Sequence, residues 1–121
     1  MAAVAHAFVV DDEEMVRASL GKLLRAIGIA STGFASAEAF LESYRGDERG
    51  CLIVDIRMPG MSGLDLLEAL RRRGSALPAI VISGHADESA LQRLDGLPAV
   101  GLLEKPFSLK QLKEMLARCA G

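Results

Sequence analysis

Tryptophan is absent from this chain, and the other aromatic residues are only four Phe and one Tyr among 121 residues. The hydrophobic core must therefore be built mainly from Leu, Val, Ile and Ala, in a chain that is 50% hydrophobic. A chain of this length suits one compact domain over residues 1–121 and leaves no room for two.

An excess of positive charge is also missing, because 14 Lys and Arg face 16 Asp and Glu for a net charge of -2. A general nucleic-acid binder would normally carry a basic excess and a basic face. No apolar run approaches the roughly 18 residues that a membrane span needs. The N-terminal segment MAAVAHAFVV is too short for a signal peptide. We therefore expect a cytoplasmic domain that contacts neither nucleic acid nor membrane.

Cysteine is scarce, and neither Cys51 nor Cys119 stands in a CxxC or Cys/His cluster. Cys51 lies in an apolar run, whereas Cys119 lies near the C-terminus. This placement favours a reduced, buried thiol and a thiol in the tail over a disulfide bond or a zinc site.

The chain does contain a regular alternation of short apolar runs and longer amphipathic stretches. The clearest run is CLIVDI, and the clearest helical stripe lies between Glu14 and Ile27. Repeated five times, this order predicts the α/β class, with a parallel sheet covered by helices on both faces. The predicted strands are Ala5–Val10, Ser31–Ala35, Cys51–Ile56, Ala79–Ser83 and Val100–Leu103; the predicted helices are Glu14–Ile27, Ala37–Tyr44, Ser62–Arg73, Asp87 to about Leu94, and one that begins after Ser108.

Three serines mark predicted helix N-termini. Ser36 precedes the second helix, where its hydroxyl can accept a backbone hydrogen bond. Ser62 with Asp65, and Ser108 with Gln111, have the spacing of a capping box.

Polar residues stand where the predicted strands end. In an open parallel sheet, ligands bind beyond the carboxyl ends of the strands, where these ends lie side by side. We therefore expect such side chains to converge although they are far apart in sequence. They are Asp11 and Asp12 after the first strand, Asp55 near the end of the third, Ser83 at the end of the fourth, and Lys105 after the fifth.

Each of these residues also has an ordinary alternative. The acidic run Asp11–Glu14 could simply favour a helix N-terminus, where negative charge is stabilised. Asp55 could form a turn, Ser83 could be a loop serine, and Lys105 could be a solvated lysine. The helix alternative explains one or two carboxylates better than four in a row, and the Pro-Gly pair in RMPG already supplies the turn.

Taken together, the residues are suited to one kind of chemistry. Crowded carboxylates repel one another unless a cation lies among them, and Mg²⁺ is the hard cation that commonly accompanies phosphoryl transfer. Asp55 offers a carboxylate nucleophile that can form an acyl phosphate. Lys105 and Mg²⁺ could neutralise the phosphoryl oxygens, while Ser83 donates a hydrogen bond to one of them.

The motifs VVDDEEMVR, LIVDIRMPGMSGLDLL, VISGH and EKPF resemble those of CheY-like receiver domains of two-component response regulators, over essentially the whole chain. The resemblance implies a flavodoxin-like, doubly wound (βα)5 fold with strand order 2-1-3-4-5. It implies that Asp55 accepts a phosphoryl group from a sensor histidine kinase, a phosphotransfer protein or a small acyl phosphate. Such a domain is not an enzyme beyond its own phosphorylation and dephosphorylation.

The resemblance also implies a set of metal ligands. Asp12, Asp55 and the backbone carbonyl of Arg57 would bind Mg²⁺ directly, and Asp11 would act on the metal through water. Arg57 and His85 would flank the path of the hydrolytic water and tune the lifetime of the phosphoryl group. That both are merely solvent-facing loop residues is an equally good alternative.

Further roles concern switching. Ser83 would contact the phosphoryl group and shift on activation, Lys105 would bind that group, and the Lys105–Pro106 peptide would be cis. The family usually has Tyr or Phe at the position of Leu102, so the aromatic part of the switch is in doubt. The switch would act either on binding of a partner or on a homodimer through the fourth helix, fifth strand and fifth helix, and the chain is either a stand-alone receiver or a piece of a longer regulator.

Rival functions fit the residues less well. An FMN carrier of flavodoxin type would cradle a phosphate in the first loop, which is acidic here. A dinucleotide site needs GxGxxG after the first strand, and this motif is absent. A phosphatase with an Asp nucleophile would want a second Asp where this chain has Arg57. A receiver that is never phosphorylated is the remaining alternative, and the combination of acidic residues, Ser83 and Lys105 argues against it.

Overall fold

The structure is a computed structural model that describes residues 6–46, 49–75, 77–84, 92–97 and 99–120. Within these ranges, strands and helices alternate along the chain in the predicted order. The strands are β1 (His6–Val10), β2 (Ala30–Phe34), β3 (Cys51–Asp55), β4 (Ala79–Ser83) and β5 (Ala99–Glu104), and the helices are α1 (Glu14–Ala26), α2 (Ala37–Ser43), α3 (Gly63–Arg72) and α4 (Leu109–Ala120).

The fourth of the five predicted helices lies largely outside the described residues. Its last turn is visible as a helical segment over residues 92–94. The helix called α4 is therefore the fifth that the sequence predicts. None of the helices within the described ranges is long and apolar enough to span a lipid bilayer.

All five strands form one sheet in the order β2-β1-β3-β4-β5, and every neighbouring pair is parallel. The predicted flavodoxin-like order is thus confirmed. In the register, Val10 lies opposite Val54, and Asp55 lies opposite Ile82. The carboxyl ends of β1, β3 and β4 consequently meet at one edge of the sheet, which we call the carboxyl edge.

The core consists of two apolar layers, one on each face of the sheet. Successive residues of a strand point to opposite faces, so Ile53 packs with α1 and α4, whereas Leu52 and Val54 pack with α2 and α3. Because β3 and β4 are buried along their whole length, their near-continuous apolar sequence follows from burial on both sides.

The helix N-termini are capped as predicted. Ser36 Oγ accepts a hydrogen bond from the amide of Ala39 at 3.0 Å. Ser62 and Asp65 form a complete capping box. At the start of α4, Ser108 Oγ accepts from the amide of Gln111 at 3.1 Å, and Gln111 Oε1 accepts from the amide of Ser108 at 2.8 Å.

The expectation for the cysteines is wrong. Cys51 and Cys119 are joined by a disulfide bond, with their Cα atoms 6.1 Å apart. Cys51 begins β3 and points to the face on which α4 packs, so the last turn of that helix brings Cys119 onto it. The sequence argument considered local spacing, but this partner is 68 residues away and is supplied by tertiary packing.

Candidate functional site

Side chains from four strands meet at the carboxyl edge. Asp11 directly follows β1, Asp55 is the last residue of β3, Ser83 is the last residue of β4, and Lys105 directly follows β5. Asp11, Asp55 and Ser83 are also the buried polar residues among those that the structure describes. Burying polar groups is costly unless they have partners, so their common location indicates a site and not a packing accident.

Lys105 connects the strand ends electrostatically. Its Nζ donates a hydrogen bond to Asp55 Oδ2 at 3.1 Å and lies 3.7 Å from Asp11 Oδ2. Its backbone amide donates to the carbonyl oxygen of Ser83 at 2.8 Å, which continues the pairing of β4 with β5. The peptide bond between Lys105 and Pro106 is cis.

The pKa of Lys105 reflects two opposing effects. Partial burial disfavours the ammonium form and by itself lowers the pKa, but the hydrogen bond and charge of Asp55, together with the charges of Asp11 and Glu13, outweigh it. The net result is a pKa above the ordinary value of lysine. Lys105 therefore stays cationic beside the carboxylates throughout the physiological pH range.

Asp55 is held at the end of β3 by its surroundings. Its side chain is 7% exposed, and its Oδ1 accepts a hydrogen bond from the backbone amide of Arg57 at 3.1 Å. The amide of Gly63, the first residue of α3, donates to the carbonyl oxygen of Ile56 at 3.1 Å. A Cβ at Gly63 would collide with the carbonyl oxygen of Asp55, so the glycine lets α3 begin directly against the strand end.

Asp11 is the least favourably placed charge in the site. Its side chain is fully buried; Oδ1 accepts from the amide of Glu13 at 2.9 Å, but Oδ2 accepts no hydrogen bond from any part of the chain that is described. Burial raises the pKa of Asp11 to about 6; the amide of Glu13 works against this shift, and the charge of Asp55 adds to it. A nearby cation would relieve this cost.

The acidic residues fit a divalent cation. Asp11, Asp12 and Asp55 each offer a carboxylate oxygen, and these oxygens all lie within 4.8 Å of one another. Asp12 is exposed to solvent, whereas the other two residues are buried. A donor set made only of oxygens suits hard cations such as Mg²⁺, and the buried Asp11 Oδ2, which accepts no hydrogen bond from the described residues, is available to such a cation.

The four other predicted site residues lie in different places. Ser83 is 1% exposed and lies at the carboxyl edge, while Arg57 has an exposed side chain on the loop after β3. Leu102 lies opposite Val81 in β4 and packs, half-buried, on the α2 and α3 side of the sheet. His85 lies outside the described residues.

Sequence reasoning missed three polar contacts around the site. Arg17 donates to the backbone carbonyl of Asp11, Glu38 accepts from the amide of Met61 after β3, and Arg93 forms ion pairs with α3. Arg17 stands inside the motif VVDDEEMVR, which was a usable signal for proximity to the acidic residues. The other two contacts join residues that are 23 or more positions apart, and no local pattern indicates them.

A parallel α/β sheet that collects three aspartates and a lysine at its carboxyl edge is a doubly wound domain with a polar site where such folds bind ligands. The family model described as "Response regulator receiver domain" matches residues 7–117. The chain therefore belongs to the response regulator receiver domain family of two-component signalling.

Individual relatives agree with this assignment. The chain is 46% identical to the transcriptional regulatory protein FixJ of Azorhizobium caulinodans over 99 residues, which cover 82% of this chain and 47% of that protein. It is 37% identical to FixJ of Bradyrhizobium diazoefficiens over 116 residues, covering 96% and 57%. The chain thus spans about half the length of the curated relatives that it matches.

Solved structures share the fold of this chain. The crystal structure of FixJ-N matches with a TM-score of 0.88 and 39% identity, covering 96% of this chain and 93% of that one. The chemotaxis protein CheY4 of Vibrio cholerae matches with a TM-score of 0.86 at 24% identity, covering 97% and 99%. The second likeness supports the fold alone.

Proposed function

We propose that residues 1–121 form one receiver domain in which Asp55 accepts a phosphoryl group in a Mg²⁺-dependent reaction. The donor is a sensor histidine kinase, a phosphotransfer protein or a small acyl phosphate. The observation that carries the proposal is the position of the Asp55 carboxylate, 3.1 Å from Lys105 Nζ and within 4.8 Å of the carboxylate oxygens of Asp11 and Asp12.

The chemistry assigns one task to each group. A carboxylate oxygen of Asp55 forms a bond to phosphorus while the bond from phosphorus to the donor nitrogen or oxygen breaks, and the leaving group keeps that electron pair. Lys105 neutralises charge on the phosphoryl oxygens, and the Ser83 hydroxyl donates a hydrogen bond to one of them. Bound Mg²⁺ supplies positive charge that offsets the mutual repulsion of carboxylates and phosphoryl group. Asp11, Asp12, Asp55 and the Arg57 carbonyl would hold it.

Signal output follows from the same site. Ser83 shifts towards the phosphoryl group, and the adjoining segments then change their affinity for a partner or for a second copy through the fourth predicted helix, β5 and α4. Leu102 replaces the usual aromatic residue, so coupling to this face proceeds without a ring. The domain itself contacts no nucleic acid and acts in the cytoplasm; a role in gene regulation would resemble that of the FixJ relatives.

The rate of phosphoryl loss is assigned to Arg57 and His85. The Arg57 side chain is exposed two residues after Asp55, where it can influence access of water to the acyl phosphate. Replacing both residues by Ala is expected to change the dephosphorylation rate. An unchanged rate in the double variant would remove them from this role.

The test of the main proposal is labelling with acetyl phosphate and Mg²⁺, read as a mass increase of one phosphoryl group. Wild-type protein and Asp95→Asn, a control that alters an exposed aspartate outside the site, should both be labelled. Asp55→Asn should not be labelled. Beryllofluoride with Mg²⁺ should shift amide resonances at the carboxyl edge; absence of both labelling and spectral change would favour a receiver that is never phosphorylated.

A further inference from the structure

Arg17, the fourth residue of α1, lies against the acidic residues without pairing with a carboxylate. Its Nη1 donates a hydrogen bond to the backbone carbonyl oxygen of Asp11 at 2.7 Å. None of the ion pairs among the described residues involves Arg17. An arginine that occupied a carboxylate would compete with a cation, whereas one that binds the backbone leaves the carboxylate oxygens available.

The contact falls on the peptide group that joins Asp11 to Asp12. The amide of Asp11 donates to the carbonyl oxygen of Phe34 at 3.1 Å, and Asp11 Oδ1 accepts from the amide of Glu13 at 2.9 Å. These two bonds hold Asp11 from its own amide and from its side chain. Because a peptide group is planar, the bond from Arg17 to the Asp11 carbonyl orients the plane that leads into Asp12.

A second feature holds Arg17 in place. Its side chain crosses β2 at Gly33, where an added Cβ would lie 3.4 Å from Arg17 Cδ and 3.8 Å from Nε. A Cβ at position 33 would thus make only ordinary contacts with Arg17, whereas a larger side chain would add atoms on the side where the arginine packs over the edge strand. Gly33 pairs with Val9, the last residue but one of β1, which places this contact beside the carboxyl edge.

We infer that Arg17 is a positioning residue: through the Asp11 carbonyl and across Gly33 it holds Asp11 and Asp12 in the arrangement that binds the divalent cation. The inference rests on the proposed Mg²⁺-dependent function, because it concerns how strongly the cation is held. Groups that orient metal ligands typically change metal affinity by about tenfold or more when they are removed.

The experiment is a Mg²⁺ titration followed by ¹H–¹⁵N NMR of the amides from Asp11 to Glu13. Arg17→Met should raise the dissociation constant for Mg²⁺ about tenfold. Lys22→Met removes the same charge from an exposed position of α1 and should leave the dissociation constant unchanged. Gly33→Val keeps the arginine but adds γ-methyl groups beside its side chain, so it should also weaken Mg²⁺ binding. Valine itself suits a strand, so the fold should be preserved.

Labelling by acetyl phosphate then separates positioning from chemistry. At saturating Mg²⁺ the labelling rate of Arg17→Met should recover to that of wild type, because the carboxylates and Lys105 are intact. A persistent loss at saturating Mg²⁺, or an unchanged dissociation constant in both Arg17→Met and Gly33→Val, would overturn the inference. Wild type that binds Mg²⁺ but is not labelled would instead contradict the proposed function and leave the affinity comparison decisive for Arg17.

Discussion

The two ends of β3 are both buried but differ in what holds them. At its start, Cys51 is bonded covalently to Cys119 of α4. At its end, Asp55 lies among other carboxylates, and the neighbouring Asp11 has a buried oxygen without a hydrogen bond. The amino end of the strand thus adds stability, whereas the carboxyl end carries charge that the folded protein tolerates at a cost.

This difference shows how a small domain can keep a buried carboxylate in place at the end of a strand. Apolar layers on both faces hold the strand along its length, with Ile53 on one face and Val54 on the other. Strand β3 can therefore keep its place although Asp55 repels its acidic neighbours. Loss of the disulfide at the amino end and loss of an acidic charge at the carboxyl end should consequently change stability with opposite signs.

The largest effect is expected at the amino end, from Cys119→Ser. The disulfide closes a loop of 68 residues, and in the chain-entropy description such a cross-link contributes about 4 kcal/mol by restricting the unfolded chain. The free energy of unfolding of the oxidised protein, measured by urea denaturation without reductant, should fall by about that amount. Wild type treated with a reductant should match the variant, and two alkylatable thiols in untreated wild type would contradict the prediction.

At the carboxyl end, Gly63→Ala should destabilise the protein for a steric reason. The new Cβ would meet the backbone carbonyl of Asp55, which cannot move without disturbing β3, and forced overpacking of this kind costs about 3 kcal/mol. Gly21→Ala is the matched control, because its Cβ would make an ordinary contact at 3.7 Å in α1. That control should be slightly stabilised, since alanine favours helix; equal losses in both would count against the steric explanation.

Much of the fold and of the candidate site was predictable from sequence, for physical reasons. Strand order, helix caps and the meeting of Asp11, Asp55 and Lys105 follow from apolar periodicity, from serine spacing and from parallel strands ending at one edge. These signals are local or depend on a single topological rule. The Cys51–Cys119 bond depends on where α4 finally packs, and no residue near either cysteine indicates it.

The same reasoning explains why side-chain contacts around the site were missed. Arg17 reaches a backbone carbonyl, an acceptor that every residue carries, so its residue type alone predicts nothing about its partner. Arg93 meets α3 across a distance of 28 positions in sequence. Such contacts are selected by tertiary packing, and periodicity contains no information about them.

Asp11→Asn should show the opposite sign of effect from Cys119→Ser. The pKa of Asp11 is raised to about 6 from 3.8, so the folded state binds a proton more tightly than the unfolded state, and ionisation destabilises the fold. Without Mg²⁺ at pH 7, the variant should therefore be more stable than wild type by about 3 kcal/mol.

The pH dependence of that difference provides its check. The penalty in wild type is complete above about pH 6 and disappears as the pH falls towards 3.8, where both states are protonated. The stabilities of wild type and Asp11→Asn in EDTA should thus converge between these values, as measured by urea unfolding at several pH values. Added Mg²⁺ should stabilise wild type more than the variant, and parallel pH profiles would refute the assignment.

The smallest effect is expected from Arg93→Met, which removes the ion pairs of Arg93 with α3. Arg93 Nη2 lies 2.9 Å from Asp65 Oδ1 and 2.9 Å from Glu68 Oε1, but all three side chains are more than a third exposed. Exposed ion pairs contribute little, so the free energy of unfolding should fall by about 0.5 kcal/mol, and less in high salt. This loss is small compared with those expected for buried residues.

A more specific measurement for the same variant is the pKa of Asp65, followed by NMR. The hydrogen bond from Arg93, assisted by the amide of Ser62, lowers this pKa below the ordinary value of aspartate. Arg93→Met should raise it towards that value, whereas Arg72→Met, which removes an exposed charge from the last turn of α3, should not. An unchanged pKa in Arg93→Met would mean that the helical segment at residues 92–94 is not tied to the start of α3 in solution. The ion pairs of Arg93 with α3 would then be absent in solution, in contrast to the covalent bond between Cys51 and Cys119.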